Sequence, residues 1–188
     1  MPTDPIPAGR ASADRLRADP IRTARLDLVL LTGKWLRAYA VGEQLPDLGF
    51  ADPDDFLAGA AHTVHLRVEQ LAHAPGDEPW LLRAVVLRAT GVAVGRVNFH
   101  APPDDRGMVE IGYQVRPAHR RSGYAAEAAA GMWGWAVGNG ARVLRASVAP
   151  DNAPSLALLR RAGFQQVGEQ VDELGGLELV FERPAVAG

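Results

Sequence analysis

Between Gly123 and Gly138 the sequence reads GYAAEAAAGMWGWAVG, in which Glu127 carries the only charge. A helix with so little polar surface has to be covered, because apolar area left in water costs folding free energy. The run falls short of the roughly 20 apolar residues that cross a bilayer. It is therefore expected to lie buried against a sheet, with its alanines and glycines permitting close approach, and the rest of the chain must supply that sheet.

The flanking sequence does so. Arg25 to Leu31 alternates and puts Leu26, Leu28 and Leu30 on one face of a strand, after which Thr32 caps a short helix carrying Trp35, Leu36 and Tyr39. Leu57, Ala60, Ala61, Val64, Val68 and Leu71 recur at helical spacing and predict a second helix over about 55–72, ended by Ala74-Pro75-Gly76. Leu81 to Arg88 and Val92 to Phe99 flank Ala89-Thr90-Gly91 as a hairpin, and Val109 to Val115 is a third strand. Beyond the buried helix come a strand at Arg142 to Val148, a helix at Pro154 to Ala162 closed by Gly163, a strand at Phe164 to Val171, a Gly175-Gly176 turn and a strand near Leu177 to Phe181. This order predicts an α+β fold, a mixed and mostly antiparallel central sheet flanked by helices. A doubly wound dinucleotide fold is excluded, because Gly138-Asn139-Gly140 follows a helix and lacks the third glycine. Residues 1–20, with Pro2, Pro5, Pro7 and Pro20 among scattered charges, read as a flexible leader, and residues 21–185 as one domain.

Composition removes several kinds of chemistry. The chain of 188 residues has no cysteine, so it offers no disulfide, no thiolate nucleophile and no thiolate-held metal. A net charge of -2 opposes a role in coating nucleic acid or anionic membrane. The absence of an apolar signal core or spanning run points to a cytoplasmic protein.

Most of the chemical information lies in Val115-Arg116-Pro117-Ala118-His119-Arg120-Arg121-Ser122-Gly123-Tyr124-Ala125-Ala126, which joins a strand to the buried helix. A helix start has unpaired N–H groups and a partial positive charge, and Gly123 with small residues behind it lets a phosphate approach the backbone. Arg120 and Arg121 add full charges at the same place. A plain basic turn capping a core helix would have the same pattern.

The run Arg120-x-x-Gly123-x-Ala125, preceded by Glu110-Ile111-Gly112-Tyr113 and followed by Asp151-Asn152-Ala153-Pro154-Ser155 and Ala162-Gly163-Phe164, resembles the GCN5-related N-acetyltransferase superfamily, most closely its ribosomal-protein N-terminal acetyltransferase branch. The resemblance covers about residues 21–183. It implies transfer of an acetyl group from acetyl-CoA, as co-substrate, to an amine. By the same correspondence Arg120, Arg121, Ser122, Gly123, Tyr124, Ala125 and Ala126 form the pyrophosphate turn, Val115 offers backbone groups to pantetheine or the thioester oxygen, and Asn152 bonds pantetheine, caps a helix or does both. Arg121 stands where glycine is frequent, which narrows the conformations open to the turn.

For catalysis, Glu110 aligns with a general base, and the alternative is a strand-end glutamate facing solvent or pairing with an arginine. The tyrosine that serves many relatives as acid is replaced by Leu159. Ser155, three residues after Asn152, is then the candidate acid, unless it only supports the helix start while water protonates the thiolate. With no cysteine to carry an acyl group, transfer is expected by direct attack in a ternary complex.

Elsewhere, His62 and His65 stand three apart on a helix with no third ligand suggested, so no metal is expected. The segment Gly42 to Asp55 has five carboxylates and no basic residue, and it either attracts a cationic acceptor or is a solvated connection. His100 is placed at the acceptor cleft or in a loop without a role. The acceptor is a protein N-terminus or a small-molecule amine, the chain a monomer or homodimer. The rival function is a CoA-binding sensor or interaction domain without turnover.

Overall fold

A computed structural model describes residues 19–172 and 175–185, so the expected leader falls almost entirely outside the described residues. The strands are β1 (Ile21–Arg22), β2 (Leu26–Leu30), β3 (Arg83–Leu87), β4 (Val92–Phe99), β5 (Met108–Val115), β6 (Val143–Val148), β7 (Gln165–Val171) and β8 (Leu177–Pro184). They form one sheet in the order β1-β2-β3-β4-β5-β6-β8-β7. Only the β5–β6 pairing is parallel, and all the other neighbours are antiparallel. The helices are α1 (Gly33–Val41), α2 (Ala61–His73), α3 (Tyr124–Gly138) and α4 (Ala153–Arg161). The mixed, mostly antiparallel sheet with flanking helices is the architecture expected from the sequence.

Each face of the sheet has its own core. On one, α3 and α4 bring Ala128, Ala129, Met132, Trp133, Leu156 and Leu159 against Leu26, Leu28, Val85, Val97, Val109 and Ile111. On the other, Trp35 and Leu36 of α1 and Val64 and Leu71 of α2 cover Ala84, Val86 and Ala93. Thr32 caps α1 as expected, its side chain accepting from the Trp35 N–H. Trp35 and Trp80 are core residues, and Trp80 packs edge-on against Trp135 at 4.8 Å between ring centres.

Two expectations need correction. The second helix begins at Ala61, not near Asp55. Asp55 and Gly59 have left-handed backbone, φ 47° and 77°, and Asp52 Oδ1 accepts the Phe56 N–H, so this stretch folds as turns that bury Phe56, Leu57 and Ala60 without helical geometry. The spacing reported burial and not helix. The small residues of α3 also divide differently. Ala126, Ala130, Gly134 and Gly138 face solvent, and the close approach is made by Gly131, where a Cβ would lie 2.6 Å from Thr23 Cγ2.

The single charge of α3 closes the N-terminal edge of the fold. Glu127 Oε1 accepts from Thr23 Oγ1 and the Arg25 N–H, each at 2.6 Å, and Oε2 pairs with Arg25 Nε at 2.7 Å. Burial alone would raise the Glu127 carboxyl pKa, but the hydrogen bonds from Thr23 and Arg25 and the guanidinium charge outweigh it and hold the pKa below the usual value. A depressed folded-state pKa contributes stability above the unfolded value, about 4.3 for glutamate, and that contribution is lost as pH falls through the folded value. Glu127→Ala should destabilise the protein by about 1–2 kcal/mol at neutral pH, since it removes charge-assisted hydrogen bonds from Thr23 and Arg25, the latter partly screened by solvent. The difference from the parent in thermal melts should shrink below about pH 4; an equal difference at all pH values would contradict the ionised clasp.

Candidate active site

Met108, Val109 and Glu110 of β5 pair with Val143, Leu144 and Arg145 of β6, and there the pairing stops although both strands continue. Past Glu110, β5 is held by β4 alone, from Phe99 opposite Ile111 to Gly95 opposite Val115. His100 N–H donates to the Glu110 carbonyl and Arg116 N–H to the Val94 carbonyl, so the even-numbered backbone groups of β5 point to β4. By strand alternation those of Tyr113 and Val115 point into the widening gap. The Val115 carbonyl is taken by Arg120 Nε at 3.0 Å, which leaves the Val115 N–H facing the cleft.

The turn at the open end of this fork is the segment singled out from the sequence. A 3-10 turn, Pro117–His119, leads to Arg120 in extended backbone, Arg121 at φ 62° and Gly123 at φ 80°, after which α3 begins at Tyr124. Arg121, Ser122 and Gly123 are exposed, and Tyr124 and Ala125 are half-buried in the first turn of α3 beside exposed Ala126. Arg25, already bound to Glu127, donates Nη1 to the Ser122 carbonyl at 3.0 Å and lies over the Tyr124 ring at 4.8 Å. The turn is thus braced from the β1–β2 connection, a contact the local sequence gave no means of finding.

Glu110 is half-buried on the face covered by α1 and α2, and Ser147 of β6 donates Oγ to its Oε1 across the fork. Neither a purely solvent-facing role nor an arginine pair describes it. Ser147 was not anticipated; its signal is its place two residues beyond Arg145, the β6 residue paired with Glu110, on the same face. Gly112 follows Glu110 on this face, and a Cβ there would lie 3.2 Å from His100 Nε2 and 3.3 Å from Asn98 Oδ1, so His100 covers the floor next to Glu110. The acidic segment docks at the other end of the β4–β5 pair, beside Arg116 and next to the Gly91–Ala93 backbone. Tyr39 donates its hydroxyl to Asp55 Oδ1 at 2.8 Å, and Arg116 Nη1 bonds the Asp55 carbonyl at 2.6 Å. Burial and then the nearby aspartates push the Tyr39 phenol up to about 12. Burial likewise raises Asp52, although the Phe56 N–H and Arg116 oppose it. Asp47 and Asp52 spend oxygens on the N–H groups of Gly49 and Phe56, so part of the acidic segment's charge serves its own turns.

On the opposite face, Asn152 is the N-cap of α4 and its Oδ1 accepts the Ser155 N–H at 3.2 Å. The cap uses the Ser155 backbone and leaves its hydroxyl available. Leu159 is fully buried in the core. The odd-numbered side of β5 brings Tyr113 to this face, partly buried against the same core, and Tyr113 was not among the residues expected.

Comparison with known proteins gives this geometry a context. The profile of the acetyltransferase (GNAT) domain matches residues 33–165. The chain is 33% identical over 90 residues to the uncharacterized N-acetyltransferase YjdG of Bacillus subtilis, a match covering 47% of this chain and 52% of that protein. The chain thus spans about half the length of the curated relatives it matches. In fold it is similar to the ribosomal-protein-S5-alanine acetyltransferase of Vibrio fischeri, with a TM-score of 0.60, 14% identity and 89% and 97% of the two chains covered. It is also similar to the microcin C7 self-immunity acetyltransferase MccE, solved in complex with acetyl-CoA and AMP, with a TM-score of 0.59, 12% identity and 87% and 94% covered.

The two left-handed residues of the turn make opposite predictions. A non-glycine residue in left-handed backbone costs roughly 1–2 kcal/mol, so Arg121→Gly should be neutral to stabilising in thermal melts. Gly123→Ala adds that strain and brings a Cβ to 3.3 Å from Arg25 Nη2, and it should lower the melting temperature. Equal effects of the two changes would show that the backbone is not held in this conformation.

Proposed function

Since the chain belongs to the GNAT acetyltransferase family, we propose that it moves an acetyl group from acetyl-CoA to a primary amine by direct attack in a ternary complex. The observation that carries this reading is the fork between β5 and β6, with Glu110 on one face of the sheet and Ser155 on the other. The N–H groups of Arg121 to Ala126 receive the pyrophosphate, with helix-dipole support from α3. The unpaired edge of β5 at Tyr113 and Val115 receives the amide-bearing pantetheine arm as an added strand would, and Asn152 keeps its side-chain amide for the same arm. The thioester then lies in the gap between the strands.

An ammonium has no lone pair, so the acceptor must lose a proton before attack. Glu110, held by Ser147, takes it directly or through water on the α1/α2 face. The amine adds to the carbonyl carbon, its surplus N–H proton passes to water, the C–S bond breaks, and the thiolate leaves toward the α4 face, where Ser155 supplies a proton. Base and acid are kept apart by the sheet, so neither neutralises the other before reaction. His100 beside Glu110 and the acidic segment beside Arg116 lie along the same face and suit a cationic amine, either a protein N-terminus or a small molecule.

The deciding experiment is a screen of amines and peptides for acetyl-CoA-dependent thiol release. An acceptor-dependent rate supports transfer, and tight acetyl-CoA binding without release for any amine would favour the sensor reading. Gly123→Val should abolish the rise in melting temperature that acetyl-CoA gives the parent. Glu110→Gln should keep acetyl-CoA affinity, lose turnover and remove the acidic limb of the pH–rate profile, while Ser155→Ala should lower kcat by roughly 100-fold with little change in acetyl-CoA binding. An intact acidic limb at parent rates in Glu110→Gln would assign the proton to another route.

A further inference from the structure

Tyr113, whose backbone edge borders the proposed pantetheine site, also carries a hydroxyl at the fork that no step described above employs. It lies on β5 past the point where β6 departs, packed against the α3/α4 core. Among the described residues its Oη is buried and without a hydrogen-bond partner of good geometry, although the Ser155 side chain, at the start of α4, is close enough to act on it. A buried unpaired hydroxyl costs folding free energy, and a phenylalanine would fill the same space without that cost. Two hydroxyls, one from β5 and one from the start of α4, therefore lie near each other on the face toward which the thiolate departs.

We propose that Tyr113 is the positioning residue behind Ser155 and the terminal source of the leaving group's proton, a relay that rests on the assignment of Ser155 as acid. As the C–S bond breaks and the electron pair passes to sulfur, Ser155 Oγ gives its proton to the sulfur and takes the Tyr113 Oη proton in the same movement. The products are a neutral thiol, a neutral serine and a phenolate, which water reprotonates when the products leave.

The chemical reason is the weakness of serine as an acid. A serine that donated alone would become an alkoxide, a far stronger base than the thiolate it protonated. A phenol has a pKa of about 10 and a thiol about 8.5, so a relay ending on Tyr113 nearly matches donor to acceptor. Burial raises the Tyr113 phenol and the Ser155 hydroxyl partly offsets this, so the proton is in place at neutral pH. The arrangement also accounts for Leu159, which is buried where it can donate nothing; the phenol enters from β5 and not from α4.

The test compares Tyr113→Phe, Ser155→Ala and the double variant in an amine-dependent assay, with kcat, acetyl-CoA KM and melting temperature measured for each. The relay predicts that Tyr113→Phe keeps or raises the melting temperature, keeps the acetyl-CoA KM and lowers kcat by roughly 100-fold. The double variant should be no slower than Ser155→Ala, because both changes break one chain of proton transfer. If Ser155→Ala is slow and Tyr113→Phe turns over at the parent rate, the relay is wrong and Ser155 remains the acid. If Tyr113→Phe is slow and Ser155→Ala is not, the assignment of Ser155 fails and the relay with it. A Tyr113→Phe protein that melts lower and loses acetyl-CoA affinity together with kcat would show a structural hydroxyl and overturn the proposal.

Discussion

The parallel pairing of β5 with β6 ends at Glu110 and Arg145 while both strands run on, which opens a cleft in the middle of a sheet. Backbone polar groups left facing such a gap are costly unless water or a ligand meets them. Here they face a cleft that ends at a helix start, so the same unpaired edge can bind an extended, amide-containing arm. β4 holds β5 from the other side throughout, and the two cores hold the sheet from both faces, so the opening does not depend on a mobile loop.

Around this opening the charged and hydroxyl groups are sorted by strand alternation. Even-numbered residues of β5 present Glu110 to the face of α1 and α2, beside His100, and odd-numbered residues present Tyr113 to the side of α4. Two elements far apart in sequence brace the turn at its mouth. Glu127 looks from sequence like the one defect in an apolar helix, yet it ties Thr23 and Arg25 to α3, and Arg25 in turn holds the Ser122 carbonyl. A charge on a core helix is tolerated because each of its oxygens is satisfied.

The order of elements was legible in the sequence because its signals are local. Alternation marked β2, the Thr32 cap marked α1, and the Asn152 and Pro154 pattern marked the start of α4. The candidate nucleotide turn and the unusual place of Arg121 were legible for the same reason, since left-handed backbone at Arg121 and Gly123 is a property of a few adjacent residues. Sequence reading erred where burial imitated periodicity: Phe56, Leu57 and Ala60 are core residues held by turns, and helical spacing cannot separate that from a helix.

The sequence by itself therefore determined most of the strands and helices, the apolar helix with a single charge that covers the sheet and the Arg120 to Ala126 turn, because each follows from interactions within a few residues. Only the tertiary structure decided where β5 and β6 separate, that Ser147 steadies Glu110, that Arg25 and Glu127 brace the turn, and that the Tyr113 hydroxyl is buried on the α4 side. Those are contacts between residues far apart in sequence, brought together by strand register and by the packing of α3 and α4 on the sheet. Register is fixed by packing on both faces of the sheet, and no single segment carries it.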